Sequence, residues 1–358
     1  MTYQEFISEW NNEAQTIHVQ TSGSTSAPKK MNVRKDRMIE SAKMTCDFLG
    51  LQPGDTALLC MNLDYIGAKM MVVRSLTRQL HLVQVAPSGH PLATVDVPIT
   101  FAAMVPLQVY NSLQVPEERE KLRQIKHLII GGGAIDDVLA AQLHDFPHAV
   151  WSTYGMTETL SHIALRRLNG LQSSSWYTPL QGIKVTTNAD ECLVIDAPKL
   201  CDTPIVTNDM AEIREISTSE GKNALAFRII GRRDNVINSG GVKIQMEELE
   251  RLMRPFLAMP YMVTKRKSEK FGEIVVLMVE REGDDEGATV EEKSELPMLR
   301  AILRLLHRAL PRYWEPRLYL SVDRIPMTET GKLNRALAQQ MAEKLDLPCS
   351  RVFALDDE

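Results

Sequence analysis

The chain has 358 residues and a mass of 40.3 kDa, more than one ordinary domain, so one large and one smaller domain, or two of similar size, are expected. Hydrophobic residues at 44% and charged residues at 24% exclude a disordered chain and a long coiled coil. A formal net charge of −5 gives no overall attraction to nucleic acid. Five cysteines (Cys46, Cys60, Cys192, Cys201, Cys349) without a C-x-x-C pair read as reduced thiols rather than a disulfide frame or a zinc site. The N-terminal MTYQEFISEW has no basic cluster leading into an apolar run, and no apolar stretch approaches a membrane span. A cytoplasmic chain without membrane insertion is the expectation.

Along the first two thirds, strand-like and helix-like segments alternate. Thr16–Gln20 reads as a strand entering a Ser/Thr-rich loop, and Val33–Leu49 as a helix with Met38, Ala42, Cys46 and Leu49 on one face. Thr56–Met61 reads as a strand, Tyr65–Leu76 as a helix and His81–Val85 as a strand. Lys126–Ile130 then runs into Gly131-Gly132-Gly133, followed by a helical Ile135–His144 and a strand at Ala149–Thr153. This alternation predicts an α/β layered sheet. From about Ile183 the texture changes to short strands: Lys184–Thr187, Leu193–Ile195, Ala211–Ile216 and Ala226–Ile230. They predict a β-rich subdomain. Beyond Gly231, a helix at Met246–Arg254, a strand at Glu273–Glu280, an acidic loop at Asp284–Glu295, a helix at Met298–Ala309 and another ending at Gln339–Leu345 predict a small α+β domain. The boundary falls near Asp234, giving domains 1–233 and 234–358.

Four stretches carry chemistry. Thr21-Ser22-Gly23-Ser24-Thr25-Ser26-Ala27-Pro28-Lys29-Lys30 follows a strand and offers hydroxyls, a flexible glycine and two cations, a set suited to phosphate oxygens. It is not a Walker A loop, because no glycine precedes either lysine and no hydroxyl follows. Ser152-Thr153-Tyr154-Gly155-Met156-Thr157-Glu158 ends another strand, where ligands of open α/β sheets collect. There a tyrosine can stack on a base, a threonine can hold phosphate and a glutamate can hold Mg²⁺. Gly231-Arg232-Arg233-Asp234 leads into Ile237-Asn238-Ser239-Gly240-Gly241-Val242-Lys243-Ile244 and Glu247-Glu248-Leu249-Glu250. The last is Pro326-Met327-Thr328-Glu329-Thr330-Gly331-Lys332-Leu333-Asn334-Arg335. Taken singly, each also fits an ordinary loop, hairpin or capped helix.

Taken together, their order and spacing resemble the AMP-forming acyl-CoA synthetase/adenylation superfamily. T-S-G-S-T-S-A-P-K-K resembles that family's phosphate loop T-S-G-T-T-G-x-P-K-G. Y-G-M-T-E matches its Y-G-x-T-E block, and T-N-D at Thr207–Asp209 resembles T-G-D. The Gly231–Glu250 stretch resembles the family's hinge block and Pro326–Arg335 its C-terminal lysine block. Ser26 and Lys30 stand where the family has glycines, as does Asn208. With only twenty residues before Thr21, the chain looks like a compact member, most similar to the o-succinylbenzoate–CoA ligase subgroup of menaquinone biosynthesis.

The resemblance implies a large N-terminal α/β domain, a small mobile C-terminal domain, and two steps: attack of a carboxylate on ATP to give an acyl-adenylate, then transfer to the thiol of CoA. It implies that Lys332 neutralises carboxylate and phosphate oxygens, Glu158 holds Mg²⁺, Thr157 the α-phosphate, and Tyr154-Gly155 the adenine. Asp209 and Arg232 would serve the ribose, and Thr21, Ser22, Gly23, Ser24, Thr25 and Lys29 the β- and γ-phosphates. Asp234 would be the hinge, and Gly240, Gly241 and Lys243 would line the pantetheine tunnel. For the acid, Gly131, Gly132 and Gly133 would allow close approach, with Tyr65 or Lys69 in place of the subgroup's usual histidine. Lys69 and Arg74 are offered for a second carboxylate, against the alternative that both are solvated helix residues. Lys265-Arg266-Lys267 reads either as a contact for the CoA 3′-phosphate or as a solvated strand end. Competing readings are a ligase for another acid or for a carrier-protein thiol, a non-catalytic adenylate sensor, and an interaction module that reuses the fold. Monomer and homodimer both fit the sequence.

Overall fold

The computed structural model describes residues 1–20, 30–217, 223–280, 306–328, 333–344 and 351–354. Their contacts divide them into two compact units, one holding 1–20, 30–207 and 212–228, the other 208–211 and residues from 229 onward.

The first unit opens with helix α1 (Tyr3–Asn11), capped reciprocally by Thr2 and Glu5. Strands β1 (Thr16–Gln20) and β2 (Lys30–Arg34) then pair antiparallel, from Thr16 opposite Arg34 to Gln20 opposite Lys30. Helix α2 (Lys35–Leu49) starts two residues later than its apolar pattern suggests, because Val33 is already opposite Ile17 in β2. It stops at Gly50, whose φ of 66° and N–H to the Asp47 carbonyl make an ordinary left-handed cap.

Strand β3 (Thr56–Leu59), helix α3 (Ile66–Arg78) and strands β4 (His81–Gln84) and β5 (Phe101–Met104) follow. Helices α4 (Pro106–Gln114) and α5 (Pro116–Gln124) lead to β6 (His127–Ile130), α6 (Asp137–Leu143), β7 (Ala149–Gly155), β8 (His162–Arg167) and β9 (Thr178–Pro179). The sheet order is β4-β3-β5-β6-β7-β8-β9. From β4 to β7 the neighbours are parallel, and β8 and β9 return antiparallel. The parallel strands read as unbroken apolar runs because both faces are covered: all of Phe101–Met104 is buried, and so are Leu128, Ile129 and Ile130. Elements α1, β2, β5, α4, α5, β8 and β9 are additional to the sequence reading; α4 and α5 each carry proline at the first turn, a start signal that could have revealed them.

The β-rich part forms a second sheet in the order β10 (Lys184–Thr187), β11 (Cys192–Asp196), β12 (Ile205–Ser217) and β13 (Asn223–Arg232). Its last two strands run longer than their apolar cores suggest.

The second unit is one six-stranded sheet. Strands β14 (Val236–Ser239), β15 (Val242–Gln245), β17 (Gly272–Glu280), β18 (Leu318–Val322) and β19 (Arg351–Ala354) lie in the order β15-β14-β17-β18-β19, and β16 (Tyr261–Ser268) pairs on β17. Helix α7 (Met246–Met253) buries Leu249 and Met253 in one apolar layer with Ile237 and Leu277. The helix Arg335–Glu343 buries Ala338 and Ala342 in a second layer with Met262, Met278 and Leu320. Residues 306–309 are helical, and the acidic stretch Asp284–Glu295 lies outside the described residues.

One ion pair ties these two helices. Arg335 donates from Nη1 to Glu250 Oε1 at 2.9 Å and from Nη2 to Oε2 at 2.7 Å, with side chains 18% and 14% exposed. Nη1 also reaches the Val263 carbonyl, and Glu250 accepts the Val263 N–H. Burial opposes the charge on Arg335, but the Glu250 bonds outweigh it and raise its pKa. Removing one partner of a buried, bidentate pair leaves an uncompensated charge, at a cost of about 3 kcal/mol. Glu250→Ala should therefore lower unfolding free energy by that order in urea titrations, and Glu250→Ala/Arg335→Met should recover most of it. A loss under about 1 kcal/mol for the single variant would show the pair to be incidental.

Candidate functional site

The parallel strands aim their carboxyl ends at one edge of the first unit, and two glycine-bearing loops emerge there side by side. β6 runs into Gly131-Gly132-Gly133, and its parallel neighbour β7, with Ser152 opposite Ile130, runs into Tyr154–Glu158. The two loops are fitted to one another: a Cβ on Gly131 would lie 2.3 Å from Thr153 Oγ1. Tyr154 sits edge-on to Phe227, ring centres 5.2 Å apart, and 5.9 Å from Tyr177, whose hydroxyl is 2.8 Å from Ser152 Oγ.

Gly155 admits no side chain. A Cβ there would stand 2.4 Å from both the Ser161 carbonyl oxygen and the His162 Cα, because the chain folds straight back on itself. Between them Thr157–Thr159 make one 3-10 turn. The Met156 N–H donates to Thr159 Oγ1 at 3.0 Å, and that hydroxyl faces the carbonyls of Met156 and Ser161 at 3.0 and 2.7 Å. Thr157 is half-buried; Glu158 is exposed, and its carboxylate has no partner among the described residues.

Beneath this turn lies a polar cluster that sequence reasoning missed. Arg74 Nη2 donates to Ser161 Oγ at 2.5 Å, His162 Nδ1 is 3.3 Å from the same hydroxyl, and His162 Nε2 is 3.0 Å from Thr45 Oγ1. His162 is buried, and burial together with the Arg74 charge holds its pKa well below the ordinary histidine value. Lys69 and Arg74 are each 2% exposed, so the solvated alternative does not hold for either. No carboxylate is within ion-pair distance of them among the described residues. Burial pushes Arg74 down to about 10 and lowers Lys69, whose ammonium lies 5.4 Å from the Phe6 ring centre. Tyr65, at the start of α3, bridges to Gln20, the last described residue before the phosphate-loop candidate. Thr21, Ser22, Gly23, Ser24, Thr25 and Lys29 lie outside the described residues.

The remaining candidates belong to the second unit. Arg232 Nη2 donates to Asp234 Oδ2 at 3.0 Å and its Nη1 is 3.8 Å from Asp209 Oδ1. Asn208, the departure from the family glycine, bridges the same group: its amide donates to Asp234 Oδ2 and accepts from Arg233. Gln245 crosses Gly231 to donate to the Arg232 carbonyl, and Glu247 holds Gln245 in turn. Asp209, Arg232 and Asp234 are thus one network. Gly240 and Gly241, with φ of 58° and 86°, form the two central positions of the β14–β15 hairpin, and Lys243 beside them is exposed. Lys265 is taken up by Glu273 and the Val236 carbonyl, both at 3.0 Å. Lys332 lies outside the described residues; of the described residues near it in sequence, Met327 bridges to Leu333 and the Asn334 N–H donates to the Pro326 carbonyl.

The family model for AMP-binding enzymes matches residues 9–204, more than half the chain. The chain belongs to the AMP-binding enzyme family. It is 27% identical to the 2-succinylbenzoate–CoA ligase of Haemophilus influenzae over 273 residues, which make up 73% of this chain and 58% of that protein. The chain therefore spans less than two thirds of that relative. The enzyme of the same name from Bacillus thuringiensis is 22% identical over 93% of this chain and 71% of its own length. Among solved structures, the acyl-CoA synthetase/AMP-acid ligase II-like protein of Dyadobacter fermentans is similar at TM-score 0.59 and 29% identity, covering 94% of this chain and 92% of that one. The o-succinylbenzoate CoA synthetase of Bacillus subtilis with its acyl-adenylate is similar in fold, with TM-score 0.70 at 19% identity over 93% of this chain and 69% of its own.

The exposed Glu158 carboxylate is a donor that suits a hard divalent cation. Among the described residues no three metal-ligating side chains cluster. A single carboxylate supplemented by phosphate oxygens and water is the donor set that suits Mg²⁺.

The buried histidine gives a pH test. Its folded pKa is depressed, so its contribution to stability is complete above the unfolded value near 6.5. Below it the unfolded chain takes a proton that the folded chain refuses, and stability falls by up to about 1.4 kcal/mol per pH unit. Denaturation between pH 7 and 5 should show this slope in the wild type and lose it in His162→Gln.

Proposed function

We propose that this AMP-binding enzyme is a carboxylate–CoA ligase that activates o-succinylbenzoate as its acyl-adenylate and transfers it to CoA, in the cytoplasm and within menaquinone biosynthesis. The observation that carries the reading is that Gly131–Gly133 and Tyr154–Glu158 follow from the paired parallel strands β6 and β7 at the carboxyl edge of the sheet, the position where α/β sheets bind nucleotides and small acids. The names of the curated relatives support the choice of acid.

In this reading the acid's carboxylate attacks the α-phosphorus in line, and negative charge spreads over the attacking, α-phosphate and leaving oxygens. Thr157 donates to the α-phosphate and Glu158 holds Mg²⁺. The ion supplies charge neutralisation at the phosphates. Tyr154 packs on adenine, Asp209 accepts the ribose hydroxyls and Arg232 supports them. The loop Thr21–Lys29 receives the β- and γ-phosphates until pyrophosphate leaves. Lys332 is the cation of the first step only. With Asp234 as the hinge separating domains 1–233 and 234–358, Gly240, Gly241 and Lys243 serve the pantetheine arm in the second.

The acid brings a second carboxylate that needs a cation. Of the residues offered by α3, Arg74 already holds Ser161, so Lys69, buried without a carboxylate partner among the described residues, is the one we assign to it, with Tyr65 at the same helix start.

Lys332→Ala should abolish adenylation while largely sparing thioester formation from preformed acyl-adenylate. Loss of one cation from a water-poor site costs on the order of 3 kcal/mol, about a hundredfold in rate. Rapid-quench assays of the two half-reactions decide it, and equal losses in both would reject the division of labour.

Pyrophosphate release across a panel of mono- and dicarboxylic aryl acids tests the substrate. o-Succinylbenzoate should lead, and Lys69→Met should raise its KM tenfold or more, since an unpaired carboxylate in a dry pocket costs several kcal/mol. The same variant should hardly alter the KM for benzoate. Preference for a plain monocarboxylate would keep the ligase chemistry and reject this acid.

A further inference from the structure

Asn208 stands where the family block T-G-D has glycine, and its side chain is engaged on both sides. The amide nitrogen donates to Asp234 Oδ2 at 3.2 Å, and the amide oxygen accepts from Arg233 Nη2 at 3.2 Å. The same Asp234 oxygen takes Arg232 Nη2 at 3.0 Å, and Arg232 Nη1 faces Asp209 Oδ1 at 3.8 Å. Asp209 follows Asn208 directly in β12, so these contacts close a ring that runs from Asn208 to Asp234, Arg232 and Asp209 and back through one peptide bond. Glycine at position 208 would leave the ring open.

The chain around Asp234 is otherwise fixed from the following hairpin and helix. Arg233–Asn235 make one 3-10 turn, the buried Asn235 donates to Glu247, and Gln245 donates to the Arg232 carbonyl at 3.0 Å. The Asp234 side chain is exposed and has no apolar packing to hold it. Among the described residues, Asn208 is the one partner that reaches it from a distant part of the chain, 26 residues away.

We infer that Asn208 is a latch on the hinge: it fixes the Asp234 carboxylate in the setting in which Arg232 faces Asp209, and it must release that carboxylate before the chain can turn at Asp234. The inference rests on the reading of Asp234 as the hinge and of Asp209 and Arg232 as the ribose pair, and it adds a control on the hinge through a side chain that the family block lacks. A hinge residue absorbs the change in its own φ and ψ, and a change in φ swings its carboxylate away from a fixed partner. A bond of this exposed kind is worth about fivefold in an opening equilibrium, enough to delay rotation and too little to forbid it. The latch therefore slows the passage from the first half-reaction to the second.

The test uses Asn208→Ala in the full chain, with Asn208→Gly repeating it should the alanine variant fail to fold. Amide hydrogen exchange over residues 231–236, which needs no activity, should speed about fivefold while β5 and β6 stay unchanged. In an Asp234→Ala background the same substitution should add less than about twofold, because its partner is gone. Thioester formation from preformed acyl-adenylate should be about threefold faster than in the wild type, with pyrophosphate release in the first half-reaction within about twofold. Unchanged exchange over 231–236 overturns the latch, and so does a full effect of Asn208→Ala in the Asp234→Ala background. Faster exchange with both half-reactions unchanged rejects Asp234 as the hinge and the latch's role with it. A wild type that releases no pyrophosphate with any carboxylic acid sinks the ligase reading instead, while the exchange cycle still decides whether Asn208 holds Asp234.

Discussion

At the end of β7 the backbone of Gly155 lies against the backbone of Ser161 and His162, so close that a Cβ would be 2.4 Å from two of their atoms. That approach forces the strand to reverse within a few residues and makes β8 an antiparallel neighbour in an otherwise parallel sheet, with a register shift at Tyr154/Gly155. It throws Thr157 and Glu158 outward at the carboxyl edge of the sheet. It also draws Ser161 and His162 inward, where α2 and α3 supply their hydrogen-bond partners. Exposed chemistry above and buried polar groups below are two faces of one steric constraint.

The second unit solves a comparable problem by polar means. The run from Gly231 to Asn235 changes direction without an apolar anchor of its own, so side chains hold it. Gln245 takes the Arg232 carbonyl, Glu247 takes Gln245, and Asp234 accepts from Arg232 and Asn208. Apart from the buried Gln245, these bonds join exposed or half-exposed side chains, each bond worth about 1 kcal/mol. A segment held in this way can be released bond by bond, unlike one buried in a core, and that is the property a hinge at Asp234 needs.

Much of the first unit was legible in the sequence because parallel strands buried on both faces announce themselves as short apolar runs. Leu58, Ala102, Leu128 and Val150 are all in one core cluster. The elements that escaped lack such a signal. β2 buries only Val33, and α5, with one stretch of Glu and Lys, shows only Leu122 and Glu118 to the interior. The exposed site motifs were legible because their chemistry is carried by residue types at fixed spacing. The long-range polar pairs were not. Arg74 stands 87 residues from Ser161, and Thr45 stands 117 from His162, so only the folded sheet joins them. Arg335 and Glu250 each lie in a motif that was singled out, yet nothing in either motif says that they pair.

Two buried cations on one helix raise the question of why α3 tolerates them. Lys69 and Arg74 are five residues apart, so they do not share a face, and each meets different surroundings. Lys69 lies near the Phe6 ring, where an ammonium gains a weak cation–π contact and its stem packs as a hydrophobe. Arg74 lies among Met71, Cys46 and Ser161, where the neutral thiol and thioether return little electrostatic energy. Neither setting repays desolvation as a carboxylate would. Met at both positions would fill the same volume without that penalty. The chain instead keeps charge there, and keeps His162 neutral beside Arg74, so that the positive potential of Arg74 lies behind a turn that presents the exposed Glu158 to solvent. A low-dielectric interior transmits that potential far better than water does, and an anion arriving at the turn would meet it already in place, with no reorganisation needed at the moment of reaction.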